Sequence, residues 1–396
     1  MSSPLRRVLN DSQIRGTYMG KQRLKSVGLF SGIGGFEVGL EKAGIETTLM
    51  CEIDPAAQAV LRKRMPHVDI KDDIRSISRV PQGTDLLVAG FPCQDLSQVG
   101  RARGFSGDKS VIVNHVFRLL KARRTQWVLL ENVPFMLQLH KGAAMKHITD
   151  NLEELGYSWA YRTIDTRSFG LPQRRERVFL LASLDQKPWD HLYQTNITLN
   201  KSPDITPPCG FYWTEGNKGV GWAANAIPTL KGGSGWGIPS APAIWMPDRS
   251  FVTPDIRDAE RLQGFKADWT KPAESVTRPG HRWRLVGNAV TCKVSEWIGT
   301  ILLNLDQCPQ ELEELFPSSC WPAAAAGKRG ARYSVLNVTK FPVARPLASI
   351  DSFLHYEPRL LSRRAASGFL SRLEASGLRY PPAFTKDLRS HIKKMK

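Results

Sequence analysis

The sequence predicts an α/β chain, doubly wound around a mostly parallel sheet, with a smaller loop-rich unit set into it. Three observations carry this. Short apolar runs alternate with helix-like segments from residue 25 to residue 183, which is the rhythm of strand–helix–strand crossovers. A glycine-rich turn, LFSGIGGFE (29–37), stands between the first strand and the first helix, where open α/β folds bind ligands beyond the strand carboxyl ends. At residue 186 the rhythm stops, and Pro, Gly, Trp and Asn dominate as far as 256.

Taken in order, KSVGLF (25–30) is the first strand, and GGFEVGLEKAG (34–44) is a helix closed by Gly44. TTLMCEID (47–54) is a second strand. PAAQAVLRKR (55–64) is a helix with proline in its first turn, where a missing N–H costs nothing. DLLVAG (85–90) is a third strand, NHVFRLLKAR (114–123) a helix and WVLLEN (127–132) a strand. GAAMKHITDNLEELG (142–156) is an amphipathic helix ending in glycine, and RVFLLAS (177–183) another strand. Beyond the loop-rich stretch, DIRDAERLQGF (255–265) and VGNAVTCKVSEWIGTILLNL (286–305) return to helix. The expected organisation is a basic arm at 1–25, a main domain at 26–185 resumed at 257–310, a small domain at 186–256, a linker at 311–332 and a basic extension at 333–396. The extension contains a helix pair around LLSRRAASGFLSRLEASG.

The formal net charge is +18. Residues 328–396 hold 15 Lys/Arg against 4 Asp/Glu, so the excess is concentrated near the end of the chain. Basic balance of this size points to a polyanion, most commonly nucleic acid. Six cysteines, Cys51, Cys93, Cys209, Cys292, Cys308 and Cys320, form no CxxC pair and no zinc-like spacing. No metal site is expected. No apolar run approaches the ~20 residues of a membrane span, and MSSPLRRVLNDSQIRG lacks the apolar core of a secretory signal. A cytoplasmic location is the expectation.

The turn at 29–37 is not a phosphate loop, because no GKS/T follows. Its glycines let backbone approach a ligand, and the helix N-terminus offers free N–H groups. Glu52, at the end of the next strand, is placed to accept bonds from ribose hydroxyls. Together these suggest a nucleoside-bearing cofactor without a pyrophosphate. The third strand ends in GFPCQDLSQVG (90–100), which puts Cys93 between a proline and a polar, basic, glycine-containing loop, SQVGRARGFSGDKS (97–110).

Six short motifs follow one another: FSGIGGFE at 30–37, GFPCQ at 90–94, ENV at 131–133, QRRER at 173–177, RLQGF at 261–265 and GNAV at 287–290. In this order the chain resembles the cytosine-5 DNA methyltransferases of bacterial type, over roughly 25–305. The chemistry accounts for the same residues. Carbon 5 of cytosine is a poor nucleophile, and a thiolate adding to carbon 6 makes the ring an enamine. Cysteine suits this because its free pKa of ~8.5 already gives some thiolate. The following loop has the glycines and basic residues of a lid.

The resemblance implies a Rossmann-like, S-adenosylmethionine-dependent fold with a target-recognition domain at 186–256. It implies Cys93 as nucleophile and Glu131 as proton donor to nitrogen 3. Arg175 and Arg177 would hold the flipped base and its phosphate. Phe30 would lie against adenine, Gly32, Gly34 and Gly35 would admit the methionine end, and Glu52 would hold the ribose. Asp73 would take the adenine amino group and Asn288 would complete the pocket, with Ile53, Ile74 and Pro92 in the same site. Gln94, Ser97, Arg101 and Arg103 would meet DNA. The implied partners are double-stranded DNA and a cognate restriction endonuclease, with no membrane and a monomer acting on DNA. The chain departs from the family pattern at Gly28, where an acid is common, at Ile53 for tryptophan, at Asp95-Leu96-Ser97 and at Asp108-Lys109-Ser110. The same chemistry on tRNA, or a catalytically silent DNA-binding regulator, are the competing readings. The long insert and basic tail favour duplex DNA over tRNA, and the complete motif set disfavours the regulator. An amino-group methylase would want an Asn/Asp-Pro-Pro-aromatic motif at a strand end, and none is found.

Overall fold

A computed structural model of the chain describes residues 23–91, 112–198, 204–213, 219–233, 241–304, 312, 321–335 and 337–395. In chain order, the first half contains β1 (Lys25–Leu29), α1 (Gly35–Ala43), β2 (Glu46–Cys51), α2 (Pro55–Arg64), β3 (Asp69–Lys71) and β4 (Leu86–Gly90). It continues with α3 (Val113–Ala122), β5 (Trp127–Asn132), α4 (Ala143–Glu154), β6 (Ser158–Asp165), β7 (Gln173–Arg174), β8 (Glu176–Ser183) and α5 (Pro188–Leu192). Local chemistry sets these boundaries. Asp54 caps α2 by accepting from the Ala56 N–H at 2.8 Å, ahead of Pro55. Gly44 closes α1 at φ 100°, a left-handed conformation that glycine adopts without strain.

The second half contributes β9 (Cys209–Phe211), β10 (Ala223–Ala224), β11 (Ile227–Pro228), β12 (Ala243–Trp245), β13 (Phe251–Thr253), α6 (Ile256–Leu262), α7 (Arg282–Asn288) and α8 (Cys292–Leu303). Then come β14 (Ala324–Lys328), β15 (Ala331–Ser334), α9 (Ile350–Phe353), β16 (Arg359–Leu360), α10 (Arg363–Ala375) and α11 (Pro382–Lys394). The segment 286–305, expected as one helix, is broken between α7 and α8 at Ala289-Val290-Thr291.

The large sheet runs β15-β14-β6-β8-β5-β4-β1-β2-β3. Strands β1 to β5 pair in parallel, whereas β8 is antiparallel to both β5 and β6. The fold is the expected doubly wound α/β class, with antiparallel strands added on one side. The connection 166–175 between β6 and β8 is too short for a crossover helix, so β8 must return antiparallel.

Residues 311–332, expected as a linker, instead supply β14, which pairs with β6. Alanine and glycine have low strand propensity, and packing overrides it here. A Cβ on Gly327 would lie 2.4 Å from the Trp159 ring of the neighbouring strand, so the small residues make room for that ring.

The small sheet, β10-β9-β12-β13-β16, is antiparallel and covered on both faces. Strand alternation divides its side chains. Ile244 and Val252 pack with Ala259, Leu262 and Val286 of the main domain. Phe211, Trp245 and Phe251 pack on the other side with Phe369, Leu373, Phe384 and Leu388 of α10 and α11. The region 333–396, expected as a separate extension, therefore completes the core of the small unit. Its two helices bury apolar rows at helical spacing, and Asp387 accepts from the buried Trp245 indole at 3.1 Å. The small unit also starts later than residue 186. Trp189, Leu192 and Tyr193 pack with Ala160, Ile301 and Ala326 of the main domain.

Candidate active site

Strand β1 lies between β2 and β4, so chain order reverses there. The turn after β1 and the chain leaving β4 thus emerge side by side at the carboxyl ends of parallel strands, the usual ligand position. The turn is left-handed at Phe30 (φ 57°), Gly32 (φ 56°) and Gly34 (φ 87°). For Phe30 this is a strained conformation of the kind found at ligand sites. Neighbouring bonds hold it: Ser31 N–H to Cys51 O at 3.0 Å, Gly34 N–H to Ser31 O at 2.8 Å, and Trp269 Nε1–H to Ile33 O at 2.8 Å.

The three glycines do different jobs. A Cβ on Gly32 would meet nothing within 4 Å, so this residue faces open space. Gly34 is held tight by Leu61 and Met65 as well as by its φ. A Cβ on Gly35 would lie 2.2 Å from Val290 O. Gly35 lets the break between α7 and α8 press against α1.

Glu52 accepts from the Gly32 N–H at 2.7 Å and the Asp54 N–H at 2.8 Å. Each carboxylate oxygen keeps a free lone pair. Burial raises its pKa, and its hydrogen bonds offset this only in part. Ile53 beside it is 63% exposed, an unusual position for so large an apolar side chain and a ready surface for a flat ring. Asp73 is paired with its neighbour Arg75. Arg75 holds its carboxylate in a side-on pair at 2.5 Å, which lowers its pKa, and Ile74 is buried. Asn288 is exposed, with its Oδ1 over the backbone of Gly232.

At the end of β5, Glu131 is paired in register with Gly90 of β4. Its Oε2 would lie 3.5 Å from a Cβ on that glycine, so the carboxyl sits beside the chain that leads to residue 93. Arg177 Nε stands 3.1 Å from Glu131 Oε1. Burial still dominates and raises the Glu131 pKa, with Arg177 and then Arg175 opposing it. Asn132, to which no chemistry was assigned from sequence, donates to Phe91 O at 3.0 Å and so fixes the exit of β4.

Arg175, expected with Arg177 in the site, is 1% exposed, close enough to Glu131 and Arg177 to feel their charges, and bonded to backbone. It donates to Leu230 O and Gly287 O at 3.1 Å each, and to Ala289 O at 2.7 Å. It is a clamp between elements. Two glutamines extend the clamp. Gln173 donates to Leu262 O at 2.9 Å, and Gln263 donates to Val286 O at 2.9 Å while accepting from Thr291 at 2.8 Å. The motifs at 173–177, 261–265 and 287–290 are therefore one buried hydrogen-bond network. The signal for these residues was their presence inside the motifs, without any chemistry to separate them from their neighbours.

Pro92, Cys93, Gln94, Ser97, Arg101 and Arg103 lie outside the described residues. The described cysteines, Cys51, Cys209 and Cys292, are buried and free, and burial pushes their thiols up, to about 12 for Cys51 and about 11 for Cys209. Such thiols are poor nucleophiles at neutral pH. Among the described residues no helix is long and apolar enough to cross a membrane.

The chain matches the family described as C-5 cytosine-specific DNA methylase over residues 24–220. It is 46% identical over 380 residues to Type II methyltransferase M2.BsuMI of Bacillus subtilis (strain 168), spanning 92% of this chain and 97% of that one. The chain belongs to the C-5 cytosine-specific DNA methylases. Type II methyltransferase M.DsaV of Dactylococcopsis salina is 29% identical over 327 residues, covering 75% of the methylase described here and 90% of that protein. Among solved structures, S. pombe Dnmt2 methyltransferase has a TM-score of 0.55 at 19% identity, over 72% of this chain and all of that one, which shows the shared fold. The methylase is a DNA (cytosine-5-)-methyltransferase of Type II, restriction–modification character.

Proposed function

We propose that this chain methylates carbon 5 of a cytosine flipped out of duplex DNA, through a covalent adduct with Cys93. The observation that carries this reading is the Glu131–Arg177 pair, buried beside Gly90 and three residues short of Cys93. In the reaction the Cys93 thiolate adds to carbon 6 of the ring. Glu131, whose carboxyl burial makes easier to protonate, gives a proton to nitrogen 3 as charge develops there. The Arg177 guanidinium then stabilises the carboxylate left behind. Carbon 5 gains enamine character and becomes the nucleophile.

The residues fit S-adenosylmethionine. Gly32 faces open space, the Glu52 oxygens keep lone pairs for ribose hydroxyls, and Phe30 and Ile53 offer apolar faces. When bound, the cofactor supplies an electrophilic methyl on its sulfonium. Asn132 fixes the approach to Cys93, and Arg175 holds the floor of the site.

The composite small unit is the target-recognition domain in this reading. Extracting the base costs a few kcal/mol, which phosphate contacts offset. The basic faces of α10 and α11 are suited to those contacts. The protein acts as a monomer in the cytoplasm, alongside a cognate restriction endonuclease.

Duplexes with 5-fluorocytosine at the modified position, incubated with the protein and S-adenosylmethionine, are expected to become trapped through Cys93. Cys93→Ser is expected to end methyl transfer while duplex binding persists. Wild-type protein that methylates DNA yet never forms the trapped complex would overturn the covalent reading.

A further inference from the structure

Glu37, in the first turn of α1, is 1% exposed, and neither of its oxygens makes a hydrogen bond of ordinary geometry among the described residues. The neighbouring Ser31 hydroxyl is likewise without such a bond. A buried carboxyl in this condition is costly and calls for a reason. Its location supplies one. A Cβ on Gly28 would lie 1.9 Å from Glu37 Oε1 and 2.8 Å from Ser31 Oγ. The carboxyl occupies the volume a side chain on Gly28 would fill, between β1 and the left-handed turn at 30–34. Gly28 is one of the positions where the sequence departs from its family, and the helix has put an acid into the space the strand leaves open.

The charges around this carboxyl are mostly negative. Burial is the first cause that raises Glu37, to about 7, with the Ser31 hydroxyl easing it in part and Glu41 and Glu52 adding repulsion. Burial raises Glu52 as well. Burial keeps the Cys292 thiol of α8 protonated, with Lys42 opposing it and Glu37 and Glu296 adding to the rise. Two carboxyls with raised pKa thus flank the glycine turn, and no cation bonds either of them among the described residues. A positively charged ligand on the turn would relieve both.

We propose that Glu37 is a positioning residue of the cofactor turn, and that its carboxylate favours the positively charged methyl donor over the neutral thioether left after transfer. This rests on the reading that S-adenosylmethionine binds on the turn. Donor and product share the adenosine, the ammonium and the carboxylate, and differ in the methyl group and the sulfonium charge it brings. The change in their affinity ratio with pH and with the charge at residue 37 therefore reports on that charge. Coupling is reciprocal: the donor promotes ionisation of Glu37, and ionised Glu37 tightens the donor.

The test is calorimetric titration of the full chain with S-adenosylmethionine and with S-adenosylhomocysteine at pH 6 and pH 8. For wild type, the preference for the donor is expected to grow about 5-fold or more between the two pH values. In Glu37→Gln, which keeps shape and removes the charge, the preference is expected to stay flat. Gly28→Asp combined with Glu37→Ala moves the carboxyl to the strand at the same place and is expected to recover the pH-dependent preference. A Glu37→Gln protein that retains the wild-type trend, or a folded double variant with no recovery, overturns the role of Glu37 alone. Wild-type protein that binds neither nucleoside overturns the cofactor reading and this proposal with it.

Discussion

The two sheets of this molecule are assembled in opposite ways. The parallel strands β1 to β5 come from one continuous stretch, and each is joined to the next by a local connection. The small sheet takes β9, β10, β12 and β13 from one stretch and closes with β16, whose Arg359 meets Thr253 across 106 residues of chain. Its aromatic core is equally divided. Phe211 and Trp222 come from the insert, while Phe384, from the last helix, stands 5.0 and 4.7 Å from them. Local assembly leaves a pattern that can be read along the chain, and distant assembly does not.

The sharpest way to break this comparison is to remove residues 359–395. If the small unit is composite, Phe211, Trp245 and Phe251 lose their cover, and limited proteolysis is expected to cut rapidly within 204–253 while the large sheet resists. A truncated chain whose small unit stays protected would show that the insert folds by itself. Phe384→Ala is the milder version, expected to cost about 3–5 kcal/mol in chemical denaturation.

The two arginines of the motif at 173–177 sharpen the contrast within the large domain. Arg175→Met removes the donor of the Leu230 and Gly287 carbonyls and leaves Ala289 O with only the long bond from Gln263, and is expected to cost about 3–5 kcal/mol of stability. Arg177→Met breaks the buried pair with Glu131, but that carboxyl can neutralise itself by taking a proton, so the stability cost is expected to be smaller, about 1–2 kcal/mol, while the methyl-transfer rate falls about 10²-fold or more. Equal melting temperatures for the two variants would contradict the division into clamp and site.

Glu37 gives a pH signature. Its folded pKa of about 7 stands above the reference value of 4.5, so between these values the folded state keeps a proton that the unfolded state has lost. Stability falls as pH rises across that window. Glu37→Gln should remove the decline, a relative gain of at most about 3 kcal/mol at pH 8 over pH 5 by urea unfolding.

The smallest expected effect concerns α10 and α11, where Arg363, Arg364, Lys386 and Lys393 are exposed and form no ion pair among the described residues. Replacing these four by glutamine should weaken duplex binding equally across sequences. The salt slope should fall by about 0.9 for each phosphate that is no longer neutralised. An unchanged slope would confine DNA binding to other surfaces.

By itself the sequence determined the α/β class, the strands and helices of the first half, the order of the six motifs and the family they carry. Periodicity, capping residues and glycine turns act over a few residues and so are written locally. It pointed to Glu131 and Arg177, which the structure brings together beside Gly90. Tertiary structure alone decided that Arg175 faces inward, that Gly35 makes room for Val290, and that the alanine run at 324–328 is a strand beside Trp159. It also decided that the last two helices belong to the small unit. Each of these depends on which distant side chain arrives next to a residue, and local propensity is too weak to resist that approach.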